Sequence, residues 1–138
     1  MPKKRVYVDS CVLIAAFKAF EGDVSDAALA ALDDPAHELL YSRIVELEVM
    51  PKPTFQRKSH ECDFYKAVFE SATRVCCAEQ TIDRALDQAC LNNLSAGDAL
   101  HVACAMDGGA DELLTFEKRT KLPSAPHPGV PIRTLRSD

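Results

Sequence analysis

The chain has 138 residues, 47% apolar and 27% charged, enough for one buried core, too short for two comfortable domains, and too apolar for intrinsic disorder. Sixteen Lys and Arg against 21 Asp and Glu leave a formal net charge of −5. That balance argues against a general nucleic-acid coat, which would be basic, but not against an enzyme that gathers its acids in one site. No apolar run approaches the ~18–20 residues that cross a bilayer. The basic start is followed by Asp9 and Ser10 rather than an apolar leader. The expectation is one soluble, unexported, cytoplasmic domain over residues 1–138, with no membrane partner.

In chain order, Val6-Tyr7-Val8 is a β-branched and aromatic run that suits a buried strand ending at Asp9. Ser10 or Asp9 can cap a helix through Val12 to Phe17. Val24, Ala27, Ala28, Ala31 and Leu32 follow at helical spacing. Leu39-Leu40-Tyr41 is the second strand, after which Ser42 opens a helix through Ile44, Val45 and Glu48 that meets Pro51 and Pro53. Phe64, Tyr65, Val68, Phe69 and Ala72 make an amphipathic stripe, and Arg74 to Cys77 reads as a third, buried strand. A further stripe, Ile82, Ala85, Leu86, Ala89 and Cys90, precedes Ser95 and a nearly all-apolar helix from Ala99 to Met106, closed by Gly108-Gly109. Glu112 to Thr115 and Val130 to Thr134 are the last strands, joined across the Pro-rich stretch from Pro123. Helices alternating with short strands buried on both faces predict a three-layer α/β/α fold: a mostly parallel sheet of about five strands, helices on both sides. Ligands of such sheets bind beyond the carboxyl ends of the strands.

Six cysteines include no Cys-x-x-Cys pair. His60-x-Cys62 with Cys76-Cys77 matches no zinc spacing, so reduced core cysteines are expected.

The carboxylates carry more. Asp9 ends the first strand, where it is either a helix cap or a site residue. Glu46 and Glu48 stand about 200° apart on a helix; Glu46 shares a face with Ser42 and Arg43, and Glu48 the inward face with Ile44 and Val45. An inward charge is costly unless paired or bound to a cation. Asp98 either completes a capping box with Ser95 or offers a carboxylate at an element junction. Glu117 lies just past the strand ending at Thr115. Asp111 begins that strand, more than about 10 Å away at the wrong end. Four acids, Asp9, Glu48, Asp98 and Glu117, converging without evident basic partners would call for hard cations, Mg²⁺ or Mn²⁺, which lower the pKa of an attacking water.

Val6-Tyr7-Val8-Asp9-Ser10-Cys11-Val12-Leu13-Ile14 resembles the opening of a PIN domain. Ser42-Arg43-Ile44-Val45-Glu46-Leu47-Glu48-Val49 is similar to its second acidic motif, Asp98-Ala-Leu-His-Val-Ala103 to its third, and Thr115-Phe116-Glu117 to its fourth. The motifs span the chain in family order; the fourth acid, usually Asp, is here Glu117. The size resembles toxins of bacterial VapBC-type toxin–antitoxin pairs. That resemblance implies a Mg²⁺-dependent ribonuclease, commonly a homodimer, held inactive by a small antitoxin. It also implies metal ligation by Asp9, Glu48, Asp98 and Glu117, Ser10 or Thr115 orienting a ligand or water, and 5′-phosphate and 3′-hydroxyl products. The alternative is a PIN-like module that has lost efficient catalysis and acts by binding RNA or protein. A phospho-acceptor domain lacks its acidic pair and lysine. A serine or cysteine hydrolase lacks Gly-x-Ser-x-Gly and a His partner; His101 reads as packed or partner-facing rather than a base.

Overall fold

The computed structural model describes residues 2–22, 27–122 and 129–136; Val24 of the second helical pattern and most of the Pro-rich stretch lie outside them. Within them the order is β1 (Lys4–Val8), α1 (Ser10–Phe20), α2 (Ala27–Asp33), β2 (His37–Tyr41), α3 (Arg43–Val49), α4 (Pro51–Phe55), α5 (Ser59–Ser71), β3 (Thr73–Arg74), α6 (Glu79–Asn92), α7 (Ala96–Asp107), β4 (Glu112–Thr115), a 3-10 turn Arg119–Lys121, and β5 (Ile132–Thr134).

The strands form one sheet in the order β3-β2-β1-β4-β5, and each pairing is parallel. From β1 the chain steps outward to β2 and β3. It then crosses back to β4 on the other side of β1. Parallel pairing puts every carboxyl end on one edge, and the reversal opens a crevice there between β1 and β4. Val6, Tyr7 and Val8 are fully buried in the central strand, in register with Leu39, Leu40 and Leu114 among others. Such strands, covered on both faces, are why this part of the sequence reads as continuous apolar runs.

Two helix groups cover the sheet. α1 packs on α2, α3 and α5, while α6 packs on α7, which lies against β2 and β4. Ala85, Ala99 and Ala103 are buried at the α6–α7 contact with Ala89 beside them, so the helices approach through small side chains. Thr81 Oγ1 donates to Asp107 at 2.7 Å and Arg84 Nε to the same carboxylate at 2.6 Å, pinning the start of α6 to the end of α7.

Where α3 meets Pro51, Met50 keeps right-handed helical backbone and Pro51 opens α4, because proline's fixed φ and missing N–H suit a first helical turn. Two local expectations are corrected. The third strand stops at Arg74: Val75 N–H still bonds Tyr41 O at 2.8 Å, but Cys76 is exposed and Cys77 half-buried. An edge strand has a partner on one side only, so its end peels away. The expected core cysteines are therefore only Cys62 and Cys104, and Cys90 is also exposed. On α6 the apolar stripe is turned: Ile82 and Leu86 face outward, and Thr81, Ala85 and Gln88 are buried. Close approach to α7 favours small side chains over large ones at that seam.

Gly108 closes α7, its N–H bonding Cys104 O. A Cβ there would stand 2.5 Å from Val75 Cγ1 and 3.2 Å from Cys104 O. Gly108→Ala is expected to destabilise the protein by about 1–3 kcal/mol through overpacking. Urea unfolding should show a smaller penalty for the same change in a Val75→Ala background.

Candidate active site at the carboxyl edge of the sheet

Asp9 occupies the N-cap position of α1 with extended backbone, but its side chain makes no capping bond. Its N–H is held by Leu114 O at 3.0 Å, which ties the β1 exit to β4. The carboxylate is left to accept from Ser10 Oγ at 3.2 Å and from Thr115 Oγ1 at 3.3 Å. Ser42 behaves alike: it stands at the N-cap of α3 without a side-chain cap, and its hydroxyl instead bonds Tyr7 Oη at 2.7 Å. Two residues placed to cap helices thus spend their side chains on the sheet edge.

Glu48, on α3, reaches across to α1 and α7. Ser10 Oγ lies 3.3 Å from its Oε1, and His101 Nε2 makes a short contact with the same oxygen. Its other oxygen lies 3.8 Å from where a Cβ on Gly97 would stand. That places it beside the first turn of α7, whose partial positive charge favours an anion. The sequence pattern placed Glu48 inward; the structure places it at the rim, with 40% of its side chain exposed. Glu46 shares a face with Arg43 and pairs with it at 3.4 Å, but at 25% its side chain is less exposed than that of Glu48, so the expected inward and outward placement of the two acids is reversed.

His101 is only 2% exposed. Its Nε2 faces Glu48 and, at 3.6 Å, Asp9 Oδ1. Its Nδ1 lies 2.8 Å from Tyr7 Oη, which continues to Ser42. Burial pulls the imidazole toward its neutral form, yet the Glu48 bond and the charges of Asp9, Glu48 and Asp98 outweigh it, so its pKa is raised from 6.5. The His101 bond is the main influence on Glu48 and, with help from Ser10, outweighs desolvation to lower its pKa from 4.5. Tyr7 is raised chiefly by burial and stays a neutral hydroxyl. Burial likewise pushes the Cys11 thiol up to about 12, which keeps it from serving as a thiolate nucleophile.

Asp98 and Glu117 lie across the crevice. With Asp9, His101, Thr115 and Lys121 they line a cleft of about 50 Å³. Asp98 N–H donates to Ser95 Oγ at 3.3 Å, so Ser95 caps the helix. Glu117 N–H bonds Thr115 Oγ1 at 3.3 Å and its carbonyl accepts from Thr134 Oγ1 at 2.5 Å, which fixes the exposed residue against β5. Asp111 sits at the opposite edge, accepting from Arg5 N–H at 2.8 Å. The four acids therefore share one sheet edge in two sets. Asp9, Glu48 and His101 offer donor atoms within 4.8 Å of one another; Asp98 and Glu117 face Asp9 from the far side. Clustered carboxylate oxygens fit a hard divalent cation, and the histidine nitrogen suits a transition metal as well.

A family model described as the PIN domain matches residues 6–124. The chain belongs to the PIN-domain family. Two solved structures share its fold. VapBC2 from Rickettsia felis, bound to a DNA fragment from their promoter, aligns at TM-score 0.70 with 12% identity, covering 94% of this chain and 98% of that one. A toxin–antitoxin complex from Klebsiella pneumoniae aligns at TM-score 0.69 with 22% identity, covering 95% and 98%. Comparison with curated proteins gives no match.

In this PIN domain the sequence signals bring Asp9, Ser10, Glu48, Asp98, Thr115 and Glu117 to one edge. His101 is buried as expected, but it also stands among the acids as the basic partner that the sequence did not reveal. The signal was its spacing: His101 follows Asp98 by three residues, close to one helical turn, which puts the two on neighbouring positions of one face.

The pH dependence of the metal-free protein follows from these shifts. A raised His101 contributes stability fully below about 6.5 and loses it as pH rises through the folded value. A lowered Glu48 contributes above about 4.5 and loses it as pH falls through the folded value. In chelator, the stability gap between wild type and His101→Gln is expected to be widest at mildly acidic pH. Denaturant titrations should show it narrowing toward pH 9; a gap that widens there would contradict the pairing.

Proposed function

We propose that this PIN domain is a Mg²⁺- or Mn²⁺-dependent endoribonuclease, the toxin of a toxin–antitoxin pair. The observation that carries the reading is the Asp9 carboxylate: it stands at a helix cap, does not cap, and is instead gathered with Glu48 and His101 into one donor group. Asp9 and Glu48 would hold the cation, and Asp98 and Glu117 would bind it from across the cleft. Such a cation, when bound, polarises a phosphodiester and lowers the pKa of a water. Ser10 and Thr115 would hold the Asp9 oxygens in place through their hydroxyls. Tyr7 and Ser42 would fix the His101 ring, and so the Glu48 carboxylate. The neighbour from Klebsiella pneumoniae, a toxin–antitoxin complex, supports a small antitoxin partner. Family membership supports a homodimer working in the cytoplasm. No helix among the described residues is long and apolar enough to cross a membrane. The second reading, a binding module with weak catalysis, is favoured by Glu117, one methylene longer than the family's usual Asp.

Nuclease assays on single-stranded RNA with and without Mg²⁺ or Mn²⁺ test the first reading against the second. Mn²⁺ should raise the melting temperature of wild type, since a ligand that binds only the folded state stabilises it. Asp98→Asn should abolish cleavage while leaving the metal-free melting temperature nearly unchanged, because the cap bond runs from the Asp98 backbone to Ser95. Cleavage at the wild-type rate would make Asp98 a helix-start residue alone.

For the fourth acid, Glu117→Asp should keep or raise activity and Glu117→Gln should lower it at least tenfold, on the order of the second-shell and ligand losses seen at metal sites. Asp111→Asn, bonded to Arg5 at the opposite edge, should cleave as wild type does. Loss of cleavage in Asp111→Asn with retention in Glu117→Gln would reverse the assignment.

A further inference from the structure

Glu48 borders a second cavity, of about 290 Å³, on the side away from Asp98. Its walls are laid down by two helical rows. Ser10, Ile14 and Lys18 follow one another at i, i+4 and i+8 along α1, and Glu48, Lys52 and Gln56 do so along α3 and α4. The α1 row starts at the acid cluster and runs about 12 Å along the helix, at 1.5 Å per residue, while the second row passes from α3 into α4 and ends at its C-cap Gln56. Lys58 joins the lining from the turn after α4, where its N–H bonds Pro53 O at 2.8 Å and Arg57 takes φ of 56°. Lys18, Lys52 and Lys58, from three separate elements, thus line one cavity with Glu48 and Glu61.

The three lysines outnumber the two carboxylates, Glu48 and Glu61, that share the cavity. Among the described residues none of these lysines forms a salt bridge, whereas Lys4, Arg5, Arg43, Arg84 and Arg133 each do. Glu61 is engaged by the Tyr65 hydroxyl at 2.7 Å, and Tyr65, fully buried, belongs to the cavity lining. Glu48 is turned toward His101. We infer that this cavity is a backbone-phosphate subsite for single-stranded RNA: Lys18, Lys52 and Lys58 hold a phosphate next along the strand from the one at the acid cluster. Three donors on flexible stems around an open cavity suit a phosphate read for charge rather than for base identity. The inference rests on the nuclease reading and names where its substrate runs: out of the acid site past Glu48, between α1 and α4.

The test uses the full chain and a fluorescein-labelled single-stranded oligoribonucleotide. Binding is measured first in chelator, so that it is read whether or not the chain cleaves. The variant Lys18→Gln/Lys52→Gln/Lys58→Gln should bind at least tenfold more weakly at about 50 mM salt. Its log–log salt slope should be about two units shallower, as expected for three lost contacts to a single strand. Lys3→Gln/Lys66→Gln, whose lysines are exposed elsewhere, should bind as wild type does. Equal affinity and slope in the triple variant, or no RNA binding by wild type, would overturn the subsite. So would a preference of the same lysines for polyglutamate over RNA, which would mark an acidic protein partner. Cleavage with Mn²⁺ separates the two ideas. If wild type cleaves and the triple variant keeps its KM, the subsite fails and the nuclease stands. If the triple variant loses binding but wild type never cleaves, the subsite stands and the nuclease fails.

Discussion

A buried imidazole between two carboxylates is the contact on which this molecule's sheet edge depends. Asp9 comes from the end of β1, Glu48 from α3 and His101 from α7, and all three meet within 4.8 Å. Two like charges about 4 Å apart repel by about 4 kcal/mol at an effective dielectric constant of 20, so the acids need a countercharge. His101 is the basic group placed between them, and their charges together with the Glu48 bond raise its pKa against the pull of burial. The ring in turn needs partners in the core. Tyr7 and Ser42 provide them, one fully buried in the central strand and the other fully buried at the exit of β2. Buried polar groups are tolerable when every member is satisfied. The chain Ser42–Tyr7–His101–Glu48 achieves this while joining β2, β1, α7 and α3.

The same chain of bonds explains how far the sequence could be read. Parallel topology was legible because Val6 to Val8, Leu39 to Tyr41 and Leu113-Leu114 are apolar without alternation, which only two-sided burial explains. Once the strands were placed, Asp9 and Glu117 had to fall at a carboxyl end and Asp111 at the other. Tyr7 and His101 were opaque for the opposite reason. A tyrosine in a strand and a histidine in an apolar helix are each satisfied by ordinary packing, and nothing local says that they face each other across 94 residues of chain. The α6 stripe misled because period counting ranks Ile82 and Leu86 as inward. The actual seam with α7 is built from Ala85, Ala89, Ala99 and Ala103, where small size outweighs hydrophobicity. Cys76 and Cys77 misled because an apolar run at an edge strand loses its second neighbour.

Net charge was the least informative number of all. The −5 sums two ends of a polar molecule that do different things with their charge. At the amino edge of the sheet charges are spent on one another. Lys4 and Arg133 both pair with Glu112, at 3.1 and 2.8 Å, and Arg5 pairs with Glu38 at 2.8 Å. Burial alone would raise the Glu112 carboxyl, but those two cations hold it below its ordinary value. The charges of Lys4, Arg5 and Arg133 at that edge are thus taken up within the fold. At the carboxyl edge the acids collect around one imidazole, and the nearest lysines carry no partner among the described residues. Carboxylates that share one imidazole, beside lysines that form no salt bridge, add little to stability, since even well-made surface pairs contribute at most about 1 kcal/mol. Under the proposed function the two groups would take up what the substrate brings: a cation for the carboxylates and a polyanion for the lysines. A phosphodiester held with a divalent ion is a ligand of that description, and an acidic chain can bind it because the field that matters is local, within about 10 Å at ordinary salt.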